Sequence, residues 1–158
     1  MYKAIIILLV FVISGVSAYA EVPQALPRFV SLKGGEVNVR TGPGLRYQIK
    51  WVMQRGGLPV EVIAEFEQWR KIRDIAGDEG WLHSSMLSGK RTVMVTGAEQ
   101  LVRRGEELDS SPVARMEKGA YAELLECTKE RCRIHSREIK GWVDRAALWG
   151  IYPEEWAE

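Results

Sequence analysis

The sequence predicts an all-β protein made of two small β-barrels in tandem, and three observations carry that prediction. The chain of 158 residues holds 15 Gly and 6 Trp, a composition that favours tight turns and half-buried sheet positions over long helices. Its apolar residues fall in short runs between turn signals, and the first half shows no sustained helical period. One segment pattern also occurs twice.

Residues 1–20 read as a secretory signal. Lys3 supplies a short positive start, Ala4 to Ile13 is an unbroken apolar run, and Ser17-Ala18-Tyr19-Ala20 ends in the Ala-x-Ala pattern that signal peptidase cleaves. The alternative is an uncleaved membrane anchor. The charge-free stretch from Ala4 to Ala20 is short for a bilayer span and is interrupted by Ser14, Gly15 and Ser17. The first Cys is Cys127, so no lipid anchor is expected at the mature terminus, which should be Glu21. Residues 21–27, with Pro23 and Pro27, read as an extended leader.

The first domain is expected over residues 28–90. Phe29–Leu32, Val37–Arg40, Gln48–Met53, Val60–Ile63, Trp69–Ile72 and Gly80–Leu82 read as strands. Gly34-Gly35, Thr41-Gly42-Pro43-Gly44, Gly56-Gly57 and Ala76-Gly77-Asp78 separate them. The second domain, residues 91–152, repeats the unit. Gly57-Leu58-Pro59-Val60-Glu61-Val62-Ile63 aligns with Gly119-Ala120-Tyr121-Ala122-Glu123-Leu124-Leu125, and Gly80-Trp81-Leu82 aligns with Gly141-Trp142-Val143. Val39-Arg40-Thr41-Gly42 matches Val102-Arg103-Arg104-Gly105 upstream. The join at Lys90-Arg91-Thr92 is too short for a flexible linker, so the copies should pack together. Residues 153–158 form a tail. Trp149, Ile151, Tyr152 and Trp156 give the C-terminal end more apolar area than one small domain hides alone, so part of it should lie against the first copy.

Asn38-Val39-Arg40-x-Gly42-Pro43-Gly44, then Gly57 with Val60 and Val62, then Trp69-Arg70-Lys71-Ile72-Arg73-Asp74, then Gly80-Trp81-Leu82, resembles the bacterial SH3-like domain family in its exported tandem form. The resemblance implies a small five-stranded barrel and a role in binding cell-wall or envelope components rather than in catalysis. The second copy departs from the pattern: Arg103-Arg104-Gly105-Glu106 replaces the Gly-Pro-Gly turn, and Arg131 stands where a Trp is usual. A ligand site is therefore expected in the first copy.

Gly42, Pro43 and Gly44 suit a tight reversal, with a fixed φ at Pro43 and permissive φ on either side. Trp81 and Trp142 each follow a Gly (Gly80, Gly141), as if to relieve crowding beside a packed ring, and core packing is the favoured reading for both. Trp69 follows the polar turn Glu65-Phe66-Glu67-Gln68 and is the best candidate for a ligand-stacking aromatic, with Arg40 and Tyr47 as companions. Each of these three has a competing structural role; for Arg40 it is a pair with a carboxylate.

Cys127 and Cys132 fall on the two sides of one hairpin, where opposed positions suit a disulfide in an oxidising compartment. Zinc held by Cys127, Cys132, His135 and His83, a Cys nucleophile with a His base, and a thiol oxidoreductase are weaker readings. The last lacks a Cys-x-x-Cys motif, the second lacks a helix N-terminus to lower the thiol pKa, and the first needs His83 to converge from the other copy. No catalytic residue, metal or cofactor is expected. A formal net charge of +1 without a block of like charges removes the electrostatic argument for nucleic acid. The sequence thus predicts an exported, periplasmic or secreted, monomeric and non-catalytic module. Its expected partner is cell-wall peptide or glycan, or an envelope protein, with no membrane contact once the signal is removed. A purely structural assembly partner and a small cell-wall hydrolase are the alternatives.

Overall fold

The computed structural model describes residues 25–155. The signal and its cleavage site, most of the leader, and Trp156 lie outside them. Over the described residues the chain is all-β, and its strands form two antiparallel sheets of seven strands each. The first contains β1 (Arg28–Leu32), β2 (Val37–Arg40), β3 (Ile49–Met53), β4 (Pro59–Phe66), β5 (Trp69–Arg73), β6 (Glu79–His83) and β7 (Leu87–Ser88). The second contains β8 (Thr92–Val95), β9 (Gln100–Arg103), β10 (Pro112–Met116), β11 (Tyr121–Cys127), β12 (Arg131–Ser136), β13 (Ile139–Asp144) and β14 (Leu148–Trp149). Strand order is β3-β2-β6-β5-β4-β1-β7 in the first and β10-β9-β13-β12-β11-β8-β14 in the second, so the repeat in sequence is a repeat in topology. The count of seven exceeds the five implied by resemblance. Part of the excess is the two-residue β7 and β14, which follow 3₁₀ turns and are too short to leave a period in the sequence.

Alternation of side chains builds the two cores. Val37 and Val39 on β2, Val60 and Val62 on β4, Ile72 on β5 and Leu82 on β6 are fully buried in the first sheet. Val93, Val95, Val102, Ile134 and Val143 take the same role in the second. Burying each such side chain is worth about 1.5–3 kcal/mol, enough for a short β-branched strand to hold its register.

The same alternation corrects the reading of the two Gly-Trp pairs. Leu82 and Val143 point inward, so Trp81 and Trp142 point outward and are half-buried, outside the core. Trp81 lies across from Arg40 and Lys71, and Trp142 across from Arg103 and Arg133. The glycines relieve crowding on the opposite face. A Cβ at Gly80 would sit 2.5 Å from Val39 Cγ1, and one at Gly141 would sit 2.5 Å from the Arg103 carbonyl oxygen. Each Gly thus lets β6 or β13 approach its neighbouring strand closely.

The two domains are clasped by their ends. Phe29 on β1 is 7% exposed, with the Trp149 ring edge-on at 5.0 Å and the Tyr152 ring at 4.8 Å. The Tyr152 hydroxyl donates to Glu61 Oε1 (2.8 Å), Tyr121 donates to the Gly56 carbonyl (2.8 Å) and Thr92 donates to the Gly57 carbonyl (2.8 Å). Arg91 at the join donates to both Glu155 oxygens, at 3.0 and 2.9 Å, and stands over the Phe29 ring.

Candidate functional site

In the first domain the loop between β2 and β3 meets the hairpin between β4 and β5. Arg40, at the end of β2, donates from one guanidinium nitrogen to the carbonyls of Tyr47 (2.8 Å) and Leu45 (3.3 Å). The cation therefore braces the loop through main-chain oxygens, where the sequence suggested a carboxylate partner. Arg103 repeats the brace on the Ser110 carbonyl at 2.7 Å.

The Tyr47 ring lies flat against the Gly-Pro-Gly segment. A Cβ at Gly42 would come within 2.4 Å of it, and neither Gly42 nor Gly44 has a positive φ. Gly42 is required for the ring to approach, whereas a Cβ at Gly44 would meet the ring at an ordinary 3.5 Å, and neither position uses the permissive backbone expected of it. Arg46 donates to the Tyr47 hydroxyl (3.2 Å) and stands 5.0 Å from the ring centroid. That hydrogen bond, with the attraction of the same phenol, raises the guanidinium pKa above its ordinary value.

Across from this loop, Glu67 turns the β4–β5 hairpin at φ +49, and Trp69 opens β5. Trp69 is half-buried, its ring perpendicular to His83 at 5.6 Å. His83 is itself engaged, because its Nδ1 accepts from the Ser85 amide at the start of the 3₁₀ turn Ser84–Met86. Further along the same face, hydrogen bonds from Lys71 and Arg73 hold the Glu79 carboxyl below the usual carboxylate range.

Between loop and hairpin lies a groove of about 480 Å³, walled by Pro43, Leu45, Arg46, Phe66, Glu67 and Trp69. Leu45 is 78% and Phe66 52% exposed. Of the three residues selected from sequence, only Trp69 faces this space; Arg40 and Tyr47 hold the loop that forms its other wall. Arg46 supplies the cation that Arg40 was expected to provide. Leu45 and Phe66 were missed, although an apolar side chain directly after Gly42-Pro43-Gly44, or between Glu65 and Glu67, was a signal for each.

The model of the bacterial SH3 domain matches twice, over residues 33–89 and 96–150. The chain belongs to the bacterial SH3 domain family. Among curated proteins, this tandem bacterial SH3 chain is 23% identical over 153 residues to the "Putative N-acetylmuramoyl-L-alanine amidase YrvJ" of Bacillus subtilis (strain 168), covering 90% of this chain and 29% of that relative. Among solved structures, it aligns with NlpC1 of Trichomonas vaginalis at TM-score 0.36 and 13% identity, over 86% of this chain and 50% of that one. It aligns with NlpC2 of the same organism at 0.37 and 13%, over 80% and 49%. The chain therefore spans under a third of the curated relative and about half of each solved chain.

The second bacterial SH3 domain keeps the frame and changes the chemistry. Glu65 and Arg70 face each other across the first hairpin as an ion pair at 3.1 Å. Their counterparts Cys127 and Cys132 are bonded to each other. The bond consumes both cysteines of the chain, which excludes a free-thiol nucleophile and a Cys-ligated zinc in this state. His135 instead lies 3.4 Å from Glu123, which Lys90 also contacts at 2.9 Å.

Proposed function

We propose that this chain is a non-catalytic binding module of the cell envelope, in which the first domain takes cell-wall peptide or glycan into the groove at Trp69. The groove carries the reading: a half-buried indole, two strongly exposed apolar side chains, the exposed guanidinium of Arg46 and the exposed carboxylate of Glu67 form a surface suited to stacking plus directed hydrogen bonds. The family supports a wall-associated role, and so does the likeness to a protein named as an N-acetylmuramoyl-L-alanine amidase. Export in this reading depends on cleavage after Ala20, which the intact mass of the periplasmic protein tests. Among the described residues no helix is long and apolar enough to cross a membrane.

The test is retention on purified insoluble cell wall at moderate salt, comparing the natural chain with Trp69→Ala. Trp69 lies outside the buried core cluster, so the variant should keep its fold by thermal melting while its retention falls about tenfold, the scale of one lost stacking contact. Unchanged retention by a folded variant removes Trp69 from the site. Absence of wall binding by the natural chain turns the reading to an assembly partner that binds envelope protein, and clearing of wall substrate in a zymogram turns it to a hydrolase.

A further inference from the structure

The second domain has a groove at the equivalent junction of loop and hairpin, and its lining is of another kind. It encloses about 380 Å³ between Glu106, Glu107 and Leu108 of the loop, Glu130 and Arg131 of the hairpin, and Asp144 at the end of β13. Arg131 occupies the place of Trp69. It is only 9% exposed, and its guanidinium has no hydrogen-bond or ion-pair partner among the described residues, although its main chain is tied to Thr128. Its nitrogens are not among those sealed from solvent without a partner, as are Nε of Arg28 and Nε of Arg91. Asp144, directly opposite on β13, directs Oδ1 to the Ala146 amide at 2.9 Å instead.

The Arg131 side chain is packed along most of its length, while its guanidinium keeps contact with solvent and makes no protein hydrogen bond or ion pair among the described residues, so its planar fork is free to meet a carboxylate. The rim, with four carboxylates against this one cation, repels a simple anion. Nor does it gather round a metal: among the described residues no group of three or more His, Cys, Asp and Glu is placed to hold one. A ligand that satisfies both features carries a carboxylate and an ammonium on one small frame. The platform is stiff before any ligand arrives. The Cys127–Cys132 disulfide closes the hairpin, the Thr128 amide donates to the Arg131 carbonyl at 2.7 Å, and the Arg145 amide donates to the Glu130 carbonyl at 3.0 Å.

We propose that this groove binds small zwitterions of the amino-acid or peptide-terminus type, with the carboxylate on the Arg131 guanidinium and the ammonium among Glu106, Glu130 and Asp144. This site is separate from the groove at Trp69 and does not rest on the wall-binding reading; Trp69→Ala leaves it intact.

The test is a titration of the disulfide-bonded chain, followed by amide chemical shifts, with L-alanyl-L-alanine, its N-acetyl derivative and its methyl ester. The dipeptide should move the amides of residues 106–108 and 130–131 and saturate. Each derivative, lacking one charge, should bind about tenfold more weakly or worse. Arg131→Gln should abolish the response. Because that residue is buried, the exposed pair Glu106→Gln with Glu130→Gln provides a second variant that keeps the fold and should weaken the dipeptide to the level of its N-acetyl form. Equal binding of the methyl ester would mean a bare cation site, and equal binding of the N-acetyl form a bare anion site. Either result, or no response in this groove, or full binding by a folded Arg131→Gln chain, overturns the proposal.

Discussion

Replacing Tyr152 with Phe removes one oxygen from the clasp between the domains and leaves the ring against Phe29. The hydroxyl donates to Glu61 Oε1 at 2.8 Å, while the other Glu61 oxygen accepts from Arg73 at 3.1 Å. Glu61 is 9% exposed, so without the phenol its Oε1 loses its protein partner in a site largely shielded from water. A hydrogen bond to a charged acceptor contributes about 1.5–3 kcal/mol, and partial access of water places this one near about 2 kcal/mol. For a chain of this size that corresponds to a fall of roughly 4–8 °C in Tm. Burial first, and then the bond to Glu61, push the Tyr152 pKa above the ordinary phenol value. With the folded pKa raised, this contribution is complete below the unfolded value of about 10 and is lost as pH rises beyond it. Urea unfolding at pH 7, repeated in steps above pH 10, should show natural chain and variant converging as the alkaline limit is approached. A variant within about 0.3 kcal/mol of the natural chain at pH 7, or a constant gap across the alkaline range, would refute the reasoning.

Cys127→Ala with Cys132→Ala should lower stability by about 2 kcal/mol, the low end for a disulfide because the loop it closes is short, as measured by urea unfolding without reductant. Gly150 has φ +113, and a Cβ there would meet the Thr92 carbonyl oxygen at 2.6 Å; Gly150→Ala should cost about 1–3 kcal/mol. Its counterpart Gly89 has open space around it, so Gly89→Ala should stay within about 0.5 kcal/mol by the same melting assay. Burial pushes the Glu155 carboxyl up, but the hydrogen bonds from Arg91 and the Tyr152 amide outweigh it and leave its pKa lowered. That contribution is therefore complete above the unfolded value of about 4.3 and fades as pH falls below it; Glu155→Gln should remove about 1 kcal/mol at pH 7 and flatten the acid limb of the stability profile.

The strands and the doubled topology were legible because short β-branched runs between glycines leave few other ways to bury their side chains. The disulfide was legible for a related reason. Aligning the copies put Cys127 and Cys132 on positions that the first hairpin pairs across its strands. The orientation of Trp81 and Trp142 was not legible, since a Gly-Trp pair gives the alternation but not which member faces in; Leu82 and Val143 decide that only once the register is known. The site was legible in part. Trp69 was found from its place beside a turn. Arg40 and Tyr47 drew attention as residue types, yet both act on main chain and glycine within their own loop, and such local contacts leave no spacing signal. The groove residues Leu45 and Arg46, on one loop, and Phe66, at the end of β4, are brought together only by the fold.

The clasp at Phe29, Tyr152 and Arg91 also sets how the two grooves could act together. In a chain whose halves swing on a slack tether, engaging one half raises the local concentration of the other over a range of separations, and a long polymer with irregular spacing is tolerated. Here the halves are held by aromatic contacts and by hydrogen bonds that cross the join. A molecule touching both grooves must already have its two recognised groups at the one separation and angle that the protein presents. The tandem would then discriminate between polymers by the length of their repeat as well as by their chemistry.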